Sequence, residues 1–261
     1  MVGHGIVFHE VSHTYRPAKG REVLALDQIS LEIKRGEFFA LLGPSGCGKS
    51  TLLYALGGFQ PLEKGSITVA GKSVTGPGPD RGIVFQNFAL FPWKTVLQNV
   101  LYGLERQGRG KKERLLQAQQ YIDLVHLTGF EKSYPSQLSG GMKQRVAIAR
   151  MLAYEPEILL MDEPFGALDA QTKTILHEEL IAIVERKPKT VVFVTHDVRE
   201  AVLLSDRVAV MSARPGRIKE IVDTSHLNSR QPGLTQTIEF NAAVDHLWGL
   251  IRDDAKTARA Q

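Results

Sequence analysis

The chain is poor in cysteine: Cys47 is the only one among 261 residues. A single thiol excludes an internal disulfide and a cysteine-ligated metal cluster. Long apolar runs are missing too, and none approaches the ~18 residues a membrane-spanning helix needs. Work at a membrane would therefore pass through a partner. The opening residues Met1-Val2-Gly3-His4-Gly5 begin no secretory signal, and the expectation is a cytoplasmic chain. An excess of one charge is also lacking, since 32 Lys and Arg face 28 Asp and Glu for a formal net charge of +4. That balance suits phosphate ligands or an anionic surface but is not the dense basic clustering of a dedicated nucleic-acid binder. The one comparable run, Arg106 to Arg114 with Arg109, Lys111 and Lys112, reads as a solvated helix start. Internal repeats are absent, as is the Asn-Lys-x-Asp pattern that reads guanine. What remains is ordinary globular composition, in a length that suits one large domain or a domain with a subdomain.

Against that background one stretch stands out. Gly43-Pro44-Ser45-Gly46-Cys47-Gly48-Lys49-Ser50-Thr51 fits the phosphate-loop pattern G-x-x-x-x-G-K-[ST]. The apolar run Phe38 to Leu42 before it reads as a buried strand, and Ser50 to Leu56 after it as a helix. The glycines let consecutive backbone N–H groups turn inward around phosphate oxygens. The helix start adds unsatisfied donors and the positive end of its dipole. Lys49 can reach the β- and γ-phosphates, and the Ser50 hydroxyl can bind Mg²⁺.

The rest of the chain supplies a frame for this loop. Strands are expected at Gly5 to Val11, Leu24 to Ile33, Ser66 to Gly71, Gly82 to Phe85, Ile158 to Met161, Thr190 to Thr195, Arg207 to Met211 and Ile218 to Val222. The middle third turns helical. Thr95-Val96-Leu97-Gln98 fits a capping box. A second helix from about Lys112 to Leu127 carries Leu115, Ala118, Ile122 and Val125 on one face, with Gly129 as its stop. Ser139 caps a third, bearing Val146, Ala149 and Leu152. A long helix over 168–186 with Leu168, Ile175, Leu176 and Ile183, a short one over 198–204, and a terminal one with Phe240, Val244, Leu247, Trp248 and Ile251 complete the pattern. Apolar strands alternating with helices imply an α/β fold with a mostly parallel sheet covered on both faces. The expected organisation is a core of 1–86 and 152–225, a helical subdomain over 87–151, and a C-terminal extension over 226–261.

Two further sites follow. The strand Ile158 to Met161 runs into Asp162-Glu163, where a carboxylate can hold Mg²⁺ and its neighbour can polarise an attacking water. Leu138-Ser139-Gly140-Gly141-Met142 opens a helix with bare N–H donors and a hydroxyl, a second anion site separate in sequence from the first.

In this order, with Gln86 between and His196 after, these motifs resemble the ATP-binding cassette (ABC) family of transporter ATPases over positions 15 to 197. The resemblance implies a P-loop NTPase of RecA-like type, a mostly parallel sheet with an antiparallel β arm and an inserted helical subdomain. It implies ATP and Mg²⁺ as cofactors, bound through Gly43 to Thr51. Tyr15 matches the aromatic that stacks on adenine. Gln86 matches the glutamine that senses Mg²⁺ and the attacking water, and Ala167-Leu168-Asp169 the loop that communicates across a dimer. His196 matches the histidine at the γ-phosphate. The catalytic set is thus Glu163, His196, Gln86 and Lys49, and the metal set Ser50, Gln86 and Asp162. Met142 departs from the family, which most often has Gln there; the anion contacts of Ser139, Gly140 and Gly141 do not depend on it. In this family a signature reaches only the opposite P-loop, which implies a head-to-tail dimer with two ATP molecules between the copies.

Pro79 to Asn87, Leu90-Phe91-Pro92-Trp93, Val194 to Ala201 and Met211 to Arg217 look like the importer ATPases for nitrate, sulfonates and taurine. That implies a second ATPase subunit, two transmembrane permease subunits, a periplasmic solute-binding protein, a place on the cytoplasmic membrane face, and no nucleic acid. Phe88, Leu90, Phe91 and Trp93 are candidates for the groove that receives the permease, or for ordinary core. The alternative is a soluble ABC ATPase acting on nucleic acid or ribosomes, which usually carries two cassettes or a coiled-coil insert. A P-loop GTPase or small-molecule kinase is a more distant rival.

Overall fold

A computed structural model describes residues 5–17, 20–108, 110–166, 168–186, 189–227 and 233–258, with side chains through 252. Met1 to His4, Arg109 and Ala167, each part of an expectation above, lie outside the described residues, as does part of the 226–261 extension. The chain forms two compact units, one of residues 1–78 with 189–261 and one of residues 79–188. The expected helical insert, 87–151, falls inside the second.

The first unit begins with β1 (Ile6–Tyr15), β2 (Val23–Ile33), β3 (Phe38–Leu42), α1 (Lys49–Gly57), β4 (Lys64–Val69) and β5 (Lys72–Ser73). The second holds β6 (Arg81–Val84), α2 (Val96–Leu104), α3 (Lys111–Leu124), α4 (Gly140–Tyr154), β7 (Ile158–Asp162) and α5 (Ala170–Arg186). The chain returns to the first with β8 (Thr190–Thr195), α6 (Val198–Leu204), β9 (Arg207–Met211), β10 (Ile218–Asp223) and α7 (Ile238–Ala258). No helix among the described residues is long and apolar enough to cross a membrane.

In the first unit β3 lies between β8 and β9, parallel to both, and β10 runs antiparallel on β9. Every residue of β3 and of β8 is buried. Their continuous apolar, β-branched and aromatic sequences suit strands covered on both faces. Phe193 meets Phe38 edge-on with ring centroids 5.8 Å apart. A separate antiparallel sheet runs in the order β2-β1-β4-β5, which is the antiparallel arm the sequence implied. α7 buries Phe240, Val244, Leu247 and Ile251. Trp248, expected on the same face, is 51% exposed, because its place on the helix turns it away from the stripe the others form.

In the second unit β6 and β7 pair in parallel. The capping box of α2 is formed: Thr95 Oγ1 accepts from the Gln98 N–H at 3.3 Å and Gln98 Oε1 from the Thr95 N–H at 2.9 Å. α3 ends at Leu124, ahead of Gly129, and it buries Ala118 and Ile122 but leaves Leu115 exposed. In α5, which starts at Ala170 and so excludes Leu168, Leu176 and Leu180 are buried while Ile175 is exposed. Both misplaced residues are single apolar positions beside a correct stripe, and one stripe does not bury every apolar residue.

Replacing Phe193 with Ala removes a fully buried ring from strand β8 and should destabilise the chain by about 3–5 kcal/mol. Urea unfolding of the purified variant measures it, and a loss under ~1 kcal/mol would show that the Phe38–Phe193 pair is not part of the folding core.

Candidate functional site

The site residues sit where strands end. In the first unit Leu42 of β3 is paired with Thr195 of β8. The chain therefore leaves the sheet into Gly43 and into His196 side by side, at the C-terminal edge where open parallel sheets bind ligands. His196 is exposed. The segment behind it is braced: the Asp197 carboxylate caps α6 by accepting from the Arg199 and Glu200 N–H groups, and the Thr195 hydroxyl donates to the Glu200 carboxylate at 2.5 Å.

The phosphate loop is shaped by its glycines. Gly48 caps α1 with φ 100°, and a Cβ there would fall 2.7 Å from Leu26 Cδ2 and 2.9 Å from the Ala25 carbonyl oxygen. No other residue fits that approach in that conformation. Lys49 is buried, and its ammonium donates to the carbonyl oxygens of Gly43 at 2.8 Å and Pro44 at 2.9 Å. Ser45 and Gly46 are exposed, while Pro44, Gly48 and Ser50 are half-buried. Tyr15 is 41% exposed, and its hydroxyl lies 3.0 Å from Thr51 Oγ1, so the ring borders the start of α1. Cys47 is buried, and burial pushes its thiol above the usual value even with the Lys49 ammonium 3.8 Å away.

In the second unit the parallel register brings Val84 opposite Met161. The chain continues from these residues to Gln86 and to Asp162-Glu163, and the Gln86 side-chain amide donates to Glu163 Oε2 at 3.4 Å. Asp162 is fully buried at the end of β7. Glu163 has φ 48°, a left-handed conformation rarely taken by a non-glycine residue. Such strain is costly, of order 1–3 kcal/mol, and concentrates at functional positions. Asp169 caps the start of α5, where the Thr172 N–H holds its carboxylate below the usual range. Leu168 donates its N–H to the Phe165 carbonyl at 3.2 Å.

Ser139 caps α4, its hydroxyl accepting from the Met142 N–H at 3.3 Å. Ser139 and Gly140 are exposed, and a Cβ on Gly140 would meet nothing within 4 Å. The start of α4 is thus an open surface, and Met142 takes part through its backbone.

Sequence reasoning missed Arg150. Its guanidinium donates to the carbonyls of Ala89 at 2.8 Å and Phe88 at 3.2 Å and lies over the Phe91 ring. It fixes the loop after Gln86, where Phe88 and Ala89 have φ 64° and 45°. The only trace in the sequence was an arginine on the apolar side of a helix. Among the described residues no group of three or more His, Cys, Asp or Glu side chains forms a ready metal cage. Ser50 in the first unit carries a hydroxyl, and Gln86 and Asp162 in the second carry side-chain oxygens, each the hard donor type that Mg²⁺ takes.

Comparison with known proteins gives a consistent answer. Residues 26–166 match the ABC transporter family model. The nitrate import ATP-binding protein of Synechocystis is 55% identical over 201 residues, covering 77% of this chain and 76% of that protein. The taurine import ATP-binding protein of Rhizobium johnstonii is 51% identical over 199 residues, covering 76% of each. A solved dimeric ATP-binding cassette in a post-hydrolysis state, bound to ADP and phosphate, superposes with a TM-score of 0.76 at 34% identity, covering 84% of this chain and 98% of that one. The chain belongs to the ABC transporter family, among its ATP-hydrolysing cassettes.

With its thiol shielded and shifted upward, Cys47 should resist iodoacetamide at pH 7.5 in the folded chain and react at the ordinary rate in urea. Mass spectrometry of timed samples measures the ratio; equal rates in the two states would mean the loop opens freely.

Proposed function

We propose that this chain hydrolyses ATP for an importer of a small solute of the nitrate, sulfonate and taurine class. It works as a head-to-tail pair on the cytoplasmic face of the membrane, under two permease subunits supplied by a periplasmic binding protein. The observation that carries the reading is the set of motifs at strand ends and the start of α4, in a chain whose relatives are named for nitrate and taurine import. The same relatives favour this reading over a nucleic-acid or ribosome ATPase. That relatives so like this chain are named for two different solutes favours a choice of solute made by the permease and binding protein.

In this reading Tyr15 offers its exposed ring to adenine. The amides of Gly46 to Thr51 and the Lys49 ammonium take the β- and γ-phosphates. Ser50, Gln86 and Asp162 are the oxygen donors for Mg²⁺, which when bound neutralises phosphate charge. Glu163 accepts a proton from the attacking water, oriented by the Gln86 amide, and His196 contacts the γ-phosphate. The exposed Ser139 and Gly140, with the amide of half-buried Gly141, close the opposite half-site of the second copy. The proposed division is a core of 1–86 and 152–225, a helical subdomain over 87–151 that meets the permease, and a C-terminal extension over 226–261.

The permease contact falls on the segment after Gln86. Asn99 is fully buried and ties it down: its side chain accepts from the Phe91 N–H at 3.0 Å and donates to the Lys94 and Thr95 carbonyls, both at 3.0 Å. Phe91 packs on Tyr102 with centroids 4.5 Å apart. Trp93 is left 70% exposed on this rigid base, while Phe88, Leu90 and Phe91 are half-buried. A large exposed aromatic on fixed backbone suits a docking anchor.

Glu163→Gln should keep ATP binding, trap an ATP-bound dimer on gel filtration, and lower turnover at least ~100-fold; near-normal turnover removes Glu163 from the role of base. Trp93→Glu in the assembled transporter should leave ATP turnover measurable and abolish solute uptake. Intact assembly with intact uptake would count against the docking role.

A further inference from the structure

The turn from Met211 to Arg217 joins β9 to β10 and takes no part in the chemistry assigned above. It lies against the phosphate loop. Arg214 Nη2 donates to the Gly46 carbonyl oxygen at 3.3 Å. A Cβ on Gly216 would fall 2.1 Å from the Cys47 carbonyl oxygen, and one on Gly43 would fall 2.9 Å from that of Met211. Backbone touches backbone at both places.

The turn is built to stay there. Ser212 Oγ donates to the Pro215 carbonyl at 2.9 Å and accepts from the Arg217 N–H at 3.0 Å. The Gly216 N–H donates to the Ala25 carbonyl at 2.9 Å, and the Gly216 carbonyl accepts from the Asp27 N–H at 3.0 Å. The Arg217 guanidinium grips the Asp27 carboxylate, with Nε 2.8 Å from Oδ2. Arg214 therefore projects from a fixed base.

A peptide group is planar, so the Gly46 carbonyl and the Cys47 N–H rotate together. Gly46 has φ 77° and no Cβ, so nothing in its own side chain opposes that rotation. Arg214 holds the oxygen, and the Pro44 carbonyl accepts from the Cys47 N–H at 3.4 Å on the other side. A phosphate loop works only while its N–H groups face inward, since a flipped peptide presents a carbonyl oxygen to the anion.

We propose that Arg214 is a positioning residue for the phosphate loop. It fixes the Gly46–Cys47 peptide so that the loop's amides face the polyphosphate of a nucleoside triphosphate, and the Asp27–Arg217 clamp holds it at that post. The proposal rests on the reading of this loop as the ATP site, which Lys49→Ala tests separately.

The experiment measures KM and kcat for ATP and the affinity for a fluorescent trinitrophenyl-ATP probe. The full chain is used as wild type, Arg214→Ala, Arg214→Lys, Asp27→Ala, the Asp27→Ala/Arg214→Ala double variant and Lys49→Ala. Arg214→Ala should raise KM about five- to tenfold, the net loss of one solvent-exposed hydrogen bond, with kcat within about twofold. Arg214→Lys should keep KM within about twofold, because an ammonium can reach the same carbonyl. Asp27→Ala should raise KM less, and the double variant should be no worse than Arg214→Ala alone, the non-additivity of residues acting through one another. The nucleotide-free melting temperature of Arg214→Ala should stay within about 2 °C of wild type, as for most exposed substitutions. Unchanged KM in Arg214→Ala while Lys49→Ala loses the probe overturns the proposal and leaves the ATP site standing. Unchanged probe affinity in both overturns the ATP-site reading itself. A lowered melting temperature with KM unchanged, or effects of Asp27→Ala and Arg214→Ala that simply add, also overturns the positioning role.

Discussion

The parallel pairing of β3 with β8 is the constraint on which the first unit depends. It buries both strands along their whole length and ends them in register at Leu42 and Thr195. The two exits, into Gly43 and into His196, inherit their separation from that register. A slip of one residue would turn every buried side chain to the other face, so the same apolar contacts that stabilise the sheet also set the spacing of the polar groups beyond it. The second unit repeats the device on a smaller scale: β6 and β7 end together, and Gln86 meets Glu163 as a result.

Strands fully buried in the first unit were the easiest to read. β8, α6 and β9 begin and end where the sequence pattern put them, because apolar runs bounded by polar or turn residues leave little choice. Single helix faces were harder. Leu115, Ile175 and Trp248 are apolar yet exposed, and periodicity cannot say which edge of a stripe the neighbouring elements cover. Residues whose partners are local, such as the loop glycine Gly48 and the helix cap Ser139, were legible from spelling alone. Arg150 and Arg214 were not. Each works by reaching a carbonyl far along the chain, and nothing in local sequence marks a side chain for a distant partner.

The two units differ in how they hold their polar groups. In the first, glycines allow close backbone contact and long side chains brace the loop from outside. In the second, strain is accepted at Glu163, Phe88 and Ala89 and is offset by side chains that accept or donate at fixed points. Both routes give a polar group with few alternatives open to it, which is what preorganised electrostatic catalysis requires.

Lys49 already has two carbonyl partners, at Gly43 and Pro44. In the proposed reading an entering triphosphate has to win the ammonium from them, so its arrival is an exchange and not a simple gain. The heat evolved in a titration calorimeter is then a difference between bonds made and bonds given up, and a modest exotherm is compatible with tight retention of the nucleotide.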